Sequence, residues 1–195
     1  MIEIRLHGRG GQGAVVGANI LAEAAMKEGK YVQAFPLFGA ERRGAPVQAF
    51  LRVDTKYIYM KDVVEKPDHV IVLDARLIKT KAAQVDKGLK TGGWILINSA
   101  EEPQAFDFSP DFSVVTIDAS SIALKHKLGS AQAPIVNTAI IGGFAKLTGL
   151  VSLDALLHAV EAEVPVKKEA NVAAAKEAYY SIKVHNEKTV KGVLR

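Results

Sequence analysis

The chain has 195 residues, 49% of them hydrophobic, with 25 basic against 21 acidic side chains and a formal net charge of +4. A chain of this size buries a full core unaided, and zero cysteines exclude disulfides, thiolate zinc sites, a cysteine nucleophile and any cysteine-ligated iron–sulfur cluster within it. The dispersed charge argues against a nucleic-acid groove, and no run nears the roughly 18 apolar residues of a membrane span.

Glu3, Arg5 and His7 interrupt the start where a signal peptide would be apolar, so a soluble, cytoplasmic protein of one domain over residues 1–195 is expected. Ile2-Glu3-Ile4-Arg5-Leu6 alternates as a strand does. Gly8-Arg9-Gly10-Gly11-Gln12-Gly13 then leads into a helix whose small residues, Ala14, Gly17, Ala18, Leu21, Ala22 and Ala25, share one stripe and permit close approach to a sheet. Gly29 is a natural stop. Residues 31–35 form a second short strand, and residues 36–46 a connection rich in glycine, proline and charge.

Residues 47–53 read as a strand with Val47, Ala49, Leu51 and Val53 on one face and Gln48, Phe50 and Arg52 on the other. Asp54-Thr55-Lys56 is expected to turn it back through Tyr57 to Met60 as an antiparallel hairpin, with Tyr57 and Tyr59 as packing residues of one strand face. His69-Val70-Ile71-Val72-Leu73 is a strand covered on both faces. A helix carrying Ile78, Ala82, Val85 and Leu89 is predicted before Thr91-Gly92-Gly93, and residues 94–97 and 114–117 are further buried strands. The last third is helical: Leu153, Leu156, Leu157 and Val160 share one apolar face, with Ser152 as N-cap, and Val172, Ala175, Tyr179 and Ile182 another. The expected fold class is therefore α/β, a Rossmann-like three-layer domain with a mixed, partly parallel sheet, an edge hairpin and a helical C-terminal third.

Gly8, Gly10 and Gly13 match G-x-G-x-x-G between a strand and a helix, where backbone amides and a helix N-terminus suit a phosphate or carboxylate. A dinucleotide enzyme also wants an acid about 20 residues on, at the end of the second strand, to take the ribose hydroxyls. That strand ends Ala34-Phe35-Pro36, with Glu28 in the helix before it and Glu41 in the loop after. Two readings stay open, anion binding and a purely conformational need for glycine.

Arg42 and Arg43, between Gly39 and Gly44, either offer guanidinium forks to an anion or order the loop by pairing with Glu41 or a partner chain. Asp74, Asn98 and Asp118 follow buried strands, where open sheets place ligands and where helices also need caps. Asn137-Thr138 before Ala139 has the same double meaning, and His7 is the histidine nearest the glycine loop. No G-x-S-x-G, H-E-x-x-H or P-loop signature is present.

Read together, residues 8–13 and Phe35-Pro36-Leu37-Phe38-Gly39-Ala40-Glu41-Arg42-Arg43-Gly44-Ala45-Pro46 resemble the gamma subunits of pyruvate and related 2-oxoacid:ferredoxin oxidoreductases, the pyruvate synthase gamma type. Arg52, Pro67 through Asp74, Gly92 through Asn98, Pro134 through Thr138 and Asn171 follow in family order. The resemblance implies a subunit, inactive alone, of a complex that oxidatively decarboxylates a 2-oxoacid, pyruvate in the first instance, with coenzyme A to acyl-CoA and CO2, reducing ferredoxin. It implies alpha, beta and delta-type partner subunits holding thiamine diphosphate and the iron–sulfur clusters, and no nucleic-acid or membrane partner. It also implies coenzyme A contact through Gly8, Arg9, Gly10, Gly11, Gln12, Gly13, Arg42, Arg43 and Asn137, with no catalytic or metal-binding residue in this chain. Arg43 stands where some pyruvate-type chains carry threonine, which leaves the choice of 2-oxoacid open. A free-standing dinucleotide-dependent oxidoreductase and a purely structural assembly subunit are the alternatives.

Overall fold

A computed structural model of the chain describes residues 1–37 and 44–182. Six strands form one sheet: β1 (Ile2–Arg9), β2 (Tyr31–Leu37), β3 (Pro46–Asp54), β4 (His69–Val72), β5 (Trp94–Asn98) and β6 (Ser113–Ile117). They lie in the order β2-β3-β1-β4-β5-β6. β1, β4, β5 and β6 run parallel, and β3 is antiparallel to both of its neighbours, β1 and β2. The sheet is mixed, as the α/β reading expected.

The helices fall almost wholly on one face. Helix α1 (Ala14–Lys27) crosses from β1 to β2, and α3 (Ala119–Lys125), α4 (Asn137–Thr148), α5 (Leu153–Glu163) and α6 (Lys168–Ser181) complete that layer. Alternation along β1 sends Ile4 and Leu6 into it, beside Ala49, Leu51 and Val53 of β3, Leu96 of β5 and Ile117 of β6. Helix α4 is its centre, buried at every position except Lys146. An all-round apolar helix has to be enclosed by other elements, and α1, α5 and α6 enclose this one. Ser152 caps α5, its hydroxyl accepting from the Ala155 amide at 3.3 Å.

The opposite face has no long helix. Val70, Val72, Ile95 and Ile97 are covered there by Val85, Leu89 and Phe106, which come from turns and a single 3-10 turn at Pro103–Ala105. The helix predicted through Ile78, Ala82, Val85 and Leu89 is corrected to one turn, α2 (Arg76–Lys79). Lys81 adopts φ 52°, and Gly88, at φ 75°, lies so close to the Glu65 carbonyl that a Cβ there would sit 2.1 Å from its oxygen. A continued helix permits neither. Val85 and Leu89 still reach the strands, so their spacing marked burial correctly and conformation wrongly.

The expected hairpin from residue 54 to 60 is also corrected. β3 already has β2 on one side and β1 on the other, in full register, and offers no edge to a third strand. Its antiparallel hairpin partner is β2. Asp54 turns the chain by accepting from the Thr55 and Lys56 amides, after which Tyr57 stacks edge-on against Tyr31 and Tyr59. Those tyrosines are exposed, not core packing. Ile182 is buried as expected but lies just past the end of α6. A small hairpin, β7 (Gly129–Ser130) with β8 (Ala133–Pro134), connects α3 to α4.

Backbones of α4 and α6 touch at Gly142, where a Cβ would come within 2.1 Å of the Ala175 carbonyl oxygen. At Gly17 of α1 an added Cβ would rest 3.5 Å from Ile141 and Leu6, an ordinary contact. Gly142→Ala is therefore expected to lower the unfolding free energy by about 2–3 kcal/mol or to prevent folding. Gly17→Ala should stay within about 1 kcal/mol, on the stabilising side, through its gain in helix propensity. Urea unfolding followed by circular dichroism measures both, and equal effects would contradict the asymmetry.

Candidate functional site at the carboxyl ends of the parallel strands

Gly8 and Arg9 still belong to β1, paired with Val47 and Pro46. The turn that follows is built by the chain itself: the Gln12 amide donates to the Arg9 carbonyl at 2.9 Å, and the Arg9 amide to Gln12 Oε1 at 2.7 Å. The Gly10 amide donates to Ala45 O at 2.9 Å and the Gly44 amide to Gly10 O at 3.3 Å, stitching the loop to the β2–β3 connection. Gly11 (φ 93°) and Gly13 (φ 79°) lie in the left-handed region that L side chains avoid. The Gly11 and Gly13 amides take no part in these bonds. Gly13 is the N-cap of α1 without a side-chain cap, and the first turn holds no acid. That helix end is left with donors to offer.

Asn137 fills the space a side chain at Gly13 would need, its Nδ2 only 2.5 Å from an added Cβ. Its Oδ1 accepts from the Thr138 amide at 3.0 Å. Thr138 Oγ1 donates to Asn171 Oδ1 at 2.9 Å, and Asn171 Nδ2 to the carbonyls of Val166 and Lys167. Asn137, Thr138 and Asn171, all buried, thus link the glycine loop to the start of α6 through the Thr138 amide and hydroxyl.

Asp74, just beyond β4, is the electrostatic hub. Its carboxylate accepts from Arg9 Nε at 2.9 Å, Gln12 Nε2 at 3.2 Å, the Arg76 amide at 3.0 Å, and Arg76 Nε and Nη2 at 2.9 and 2.8 Å. Burial alone would raise its pKa; the hydrogen bonds from Arg76, then Arg9, outweigh that and hold it down at about 2. Beside it, Asn98 donates to Leu73 O at 2.9 Å and to Ser120 Oγ at 3.0 Å, tying β5 to β4 and α3. Asp118 caps α3, accepting from the Ser121 amide and hydroxyl. His7 is buried behind the loop, where burial, then Arg5, press its pKa down to about 3, so the imidazole is neutral at neutral pH.

These groups open onto a cleft of about 400 Å³ lined by Gly10, Gly11, Gln12, Asp74, Arg76 and Asn98, with residues 131–136 opposite. It lies between β1, whose connection leaves toward β2, and β4, whose connection leaves toward β5. This is the switch point at which open α/β sheets receive ligands. Gly10, Gly11 and Gln12 line the cleft, Arg9 stands behind them on Asp74, and Asn137 backs Gly13. Arg42 and Arg43 lie outside the described residues. Arg76 escaped the sequence reading, although its place two residues after Asp74, beyond a buried strand, was the available signal.

The geometry disfavours the dinucleotide alternative. β3 is inserted between β1 and β2, so the end of β2 stands two strands, roughly 10 Å, from the glycine loop rather than next to it. Glu28 is occupied elsewhere, pairing with Lys30 at 2.8 Å and accepting from the Ser152 amide at 2.7 Å.

The family model described as pyruvate ferredoxin/flavodoxin oxidoreductase matches residues 3–181. The chain belongs to that family, as a gamma-type subunit. It is 51% identical over 183 residues to the "Pyruvate/ketoisovalerate oxidoreductases common subunit gamma" of Thermococcus kodakarensis, covering 92% of this chain and 96% of that one. It is 49% identical to "Pyruvate synthase subunit PorC" of Methanothermobacter thermautotrophicus, covering 93% and 96%. Among solved structures, pyruvate oxidoreductase subunit PORC of Thermotoga maritima superposes with a TM-score of 0.77 at 35% identity, covering 93% of this chain and 97% of that one. The fold alone is also shared with 2-oxoglutarate:ferredoxin oxidoreductase of Magnetococcus marinus, at a TM-score of 0.67 and 21% identity, covering 92% of this chain and 30% of that one. The oxidoreductase family match thus spans the glycine loop, the Asp74 hub and the Asn137–Asn171 chain.

The Asp74 carboxylate contributes stability that is fully present above its unfolded pKa near 3.8 and is lost as pH falls through about 2. Asp74→Asn should cost about 2 kcal/mol at pH 7, as the loss of hydrogen bonds to a charged group. The variant should also lack this group's share of the decline between pH 4 and 2 that the parent shows. Urea unfolding across that range measures it; parallel curves for the two proteins would rule it out.

Proposed function

We propose that this gamma subunit serves a cytoplasmic oxidoreductase acting on pyruvate, and that its glycine loop faces the phosphates of coenzyme A in the assembled enzyme. The domain is taken to span residues 1–195. Alpha, beta and delta-type partners hold the thiamine diphosphate and the iron–sulfur clusters, which supply decarboxylation and electron transfer to ferredoxin. This chain, with zero cysteines, has no thiolate for a cluster.

The observation that carries the reading is the charge at the switch-point cleft. Asp74 is outnumbered by Arg9 and Arg76, which leaves one net positive charge beside two left-handed glycines and the N-terminus of α1. An anion is the complementary ligand. The Arg76 side chain is largely exposed and reaches solvent from its anchor, while Arg9 is fixed by Asp74 and the Gly44 carbonyl. Two relatives support the substrate class by name, one as a subunit common to pyruvate and ketoisovalerate enzymes, one as pyruvate synthase. The Magnetococcus enzyme was solved with coenzyme A and succinyl-CoA bound.

Gly11 provides the clean test, since nothing lies within 4 Å of where its Cβ would stand, whereas a side chain at Gly13 collides with Asn137. Gly11→Val imposes a left-handed strain of about 1–2 kcal/mol and places a branched side chain at the cradle. In the assembled enzyme the KM for coenzyme A should rise about tenfold or more, with the KM for pyruvate changed less than about twofold; a loss of roughly 1.4 kcal/mol of binding corresponds to that factor. A folded, assembled variant with normal coenzyme A dependence would make the loop purely structural. The full chain purified alone should show neither cluster absorption nor pyruvate oxidation; either one would sink the reading of a non-redox subunit.

A further inference from the structure

A second recess opens on the sheet face that carries no long helix. The two-residue period of β1 places Glu3, Arg5 and His7 on that face, and strand register adds Phe50 and Arg52 from β3 and Gln33, Phe35 and Leu37 from β2. Arg52 is fully buried there on Glu3 Oε1 and Gln33 Oε1, both at 2.9 Å. The recess, about 630 Å³, has Arg5 and Phe50 as its floor and Leu37, Val63, Lys66 and Lys87 at its rim.

Arg5 is the unusual member. Arg52 has Glu3 and Arg9 has Asp74, but Arg5, only 6% exposed, forms no ion pair among the described residues. Its Nε donates to His7 Nε2 at 2.9 Å and its Nη2 to the carbonyls of Val85 and Lys87 at 2.9 and 2.6 Å. Its Nη1 donates to no acceptor among the described residues. All of these acceptors are neutral, and the nearby Asp86 carboxylate acts on Arg5 without forming an ion pair with it, so the charge is offset only in part. A buried guanidinium without an ion-pair partner is completed by a carboxylate, and Arg5, Lys66 and Lys87 outnumber Glu65 and Asp86 at the recess.

The rim continues into exposed apolar surface. The chain after β3 folds back along β2: Tyr57 meets Tyr31 at the start of that strand, and Val63 O accepts from Nη2 of Arg52, the β3 partner of Gln33, at 3.5 Å. Tyr59, 82% exposed, stacks on Tyr57 at 4.8 Å, and Met60, Val63 and Leu37 are exposed beside the same strand. Scattered exposed apolar residues need no explanation; a row of them ending at an arginine with no ion pair among the described residues has the composition of an interface.

We propose that this face of β1, β3 and β2 is the docking surface for a partner subunit of the oxidoreductase, which inserts an acidic side chain toward Arg5 and lays apolar groups on Tyr57, Tyr59 and Val63. The proposal rests on the gamma-subunit identity, not on the ligand of the glycine loop. The carboxylate enters between Lys66 and Lys87 and pairs with Nη1, which has no acceptor among the described residues, giving Arg5 the ion pair that Asp86 does not form.

The test uses the complex reconstituted from the full chain and its partner subunits. Two double variants probe the two halves of the surface: Lys66→Glu with Lys87→Glu reverses the mouth, and Tyr57→Ala with Tyr59→Ala removes the aromatic row. All four side chains are exposed, so the melting temperature of the free chain should move by less than about 2 °C. Each double variant should weaken assembly about tenfold or more, and amides of residues 57–66 should exchange more slowly in the complex than in the free chain. Unchanged assembly of both, with equal exchange, would overturn the proposal. So would intact assembly with a raised KM for the 2-oxoacid, which would make the recess a small-carboxylate site. Assembly is the readout here and coenzyme A dependence is the readout for Gly11, so either can fail without the other.

Discussion

Strand β1 has to bury charge, and much of the architecture follows from how it does so. One face, Ile4 and Leu6, is ordinary core; the other carries Glu3, Arg5 and His7 into the interior. A buried charge is tolerable only when paired or hydrogen-bonded. Glu3 finds Arg52 on the neighbouring strand, and its backbone exchanges hydrogen bonds with Asp68, fixing where the chain enters β4. His7 remains neutral and serves as an acceptor. Arg5 reaches across to the carbonyls of Val85 and Lys87, and so holds in place the turns that stand where a second helical layer would otherwise be. A long helix there would have most of its carbonyls engaged internally, leaving only those of its last turn for a guanidinium. The irregular covering suits the polar strand face beneath it.

The same strand ends in the glycine loop, and the solution there is different. Arg9 continues the Glu3-Arg5-His7 row, but it meets a carboxylate, Asp74, supplied by the parallel neighbour. Asp74 in turn fixes Arg76 and Gln12, so one buried acid sets the positions of two cations and of the loop. On the helix side Asn137 occupies the volume that Gly13 leaves empty and passes the constraint through Thr138 and Asn171 to α6. The loop is gripped from both faces of the sheet and so held in one conformation, the preorganisation that the proposed anion binding by its backbone amides requires.

How much of this was legible in the sequence depends on whether the deciding interaction was local. The glycine loop was, because left-handed glycines before a helix have a strong local signature, and so were the buried strands and the Ser152 cap. The row of tyrosines after Asp54 was misread as a returning strand because the competing partner, β2, lies earlier in the chain, and strand competition has no local mark. The stretch from Ile78 to Leu89 kept a helical spacing while its backbone followed Lys81 and Gly88 into the left-handed region, so periodicity reported burial and not conformation. Asp74 was visible as a residue at a strand end. Its five hydrogen bonds were not, since three of their donors are on Arg76, beyond the end of the strand pattern.

The two surfaces are joined through a single strand. Arg5 and Arg9 are four residues apart on one face of β1, a separation of roughly 13 Å in extended chain, with His7 between them. A strand hydrogen-bonded on both sides does not stretch or rotate independently of its neighbours, so a partner seated at Arg5 stands at a fixed offset from whatever occupies the glycine loop. On the two proposals above, the subunit contributes by geometry: an anion at the glycine loop would stand at a set distance from the chain docked at Arg5. Proximity of that kind contributes to rate by removing translational freedom from the reacting groups. It also explains the concentration of hydrogen bonds at both ends of β1, because the offset is only as well defined as the strand that carries it.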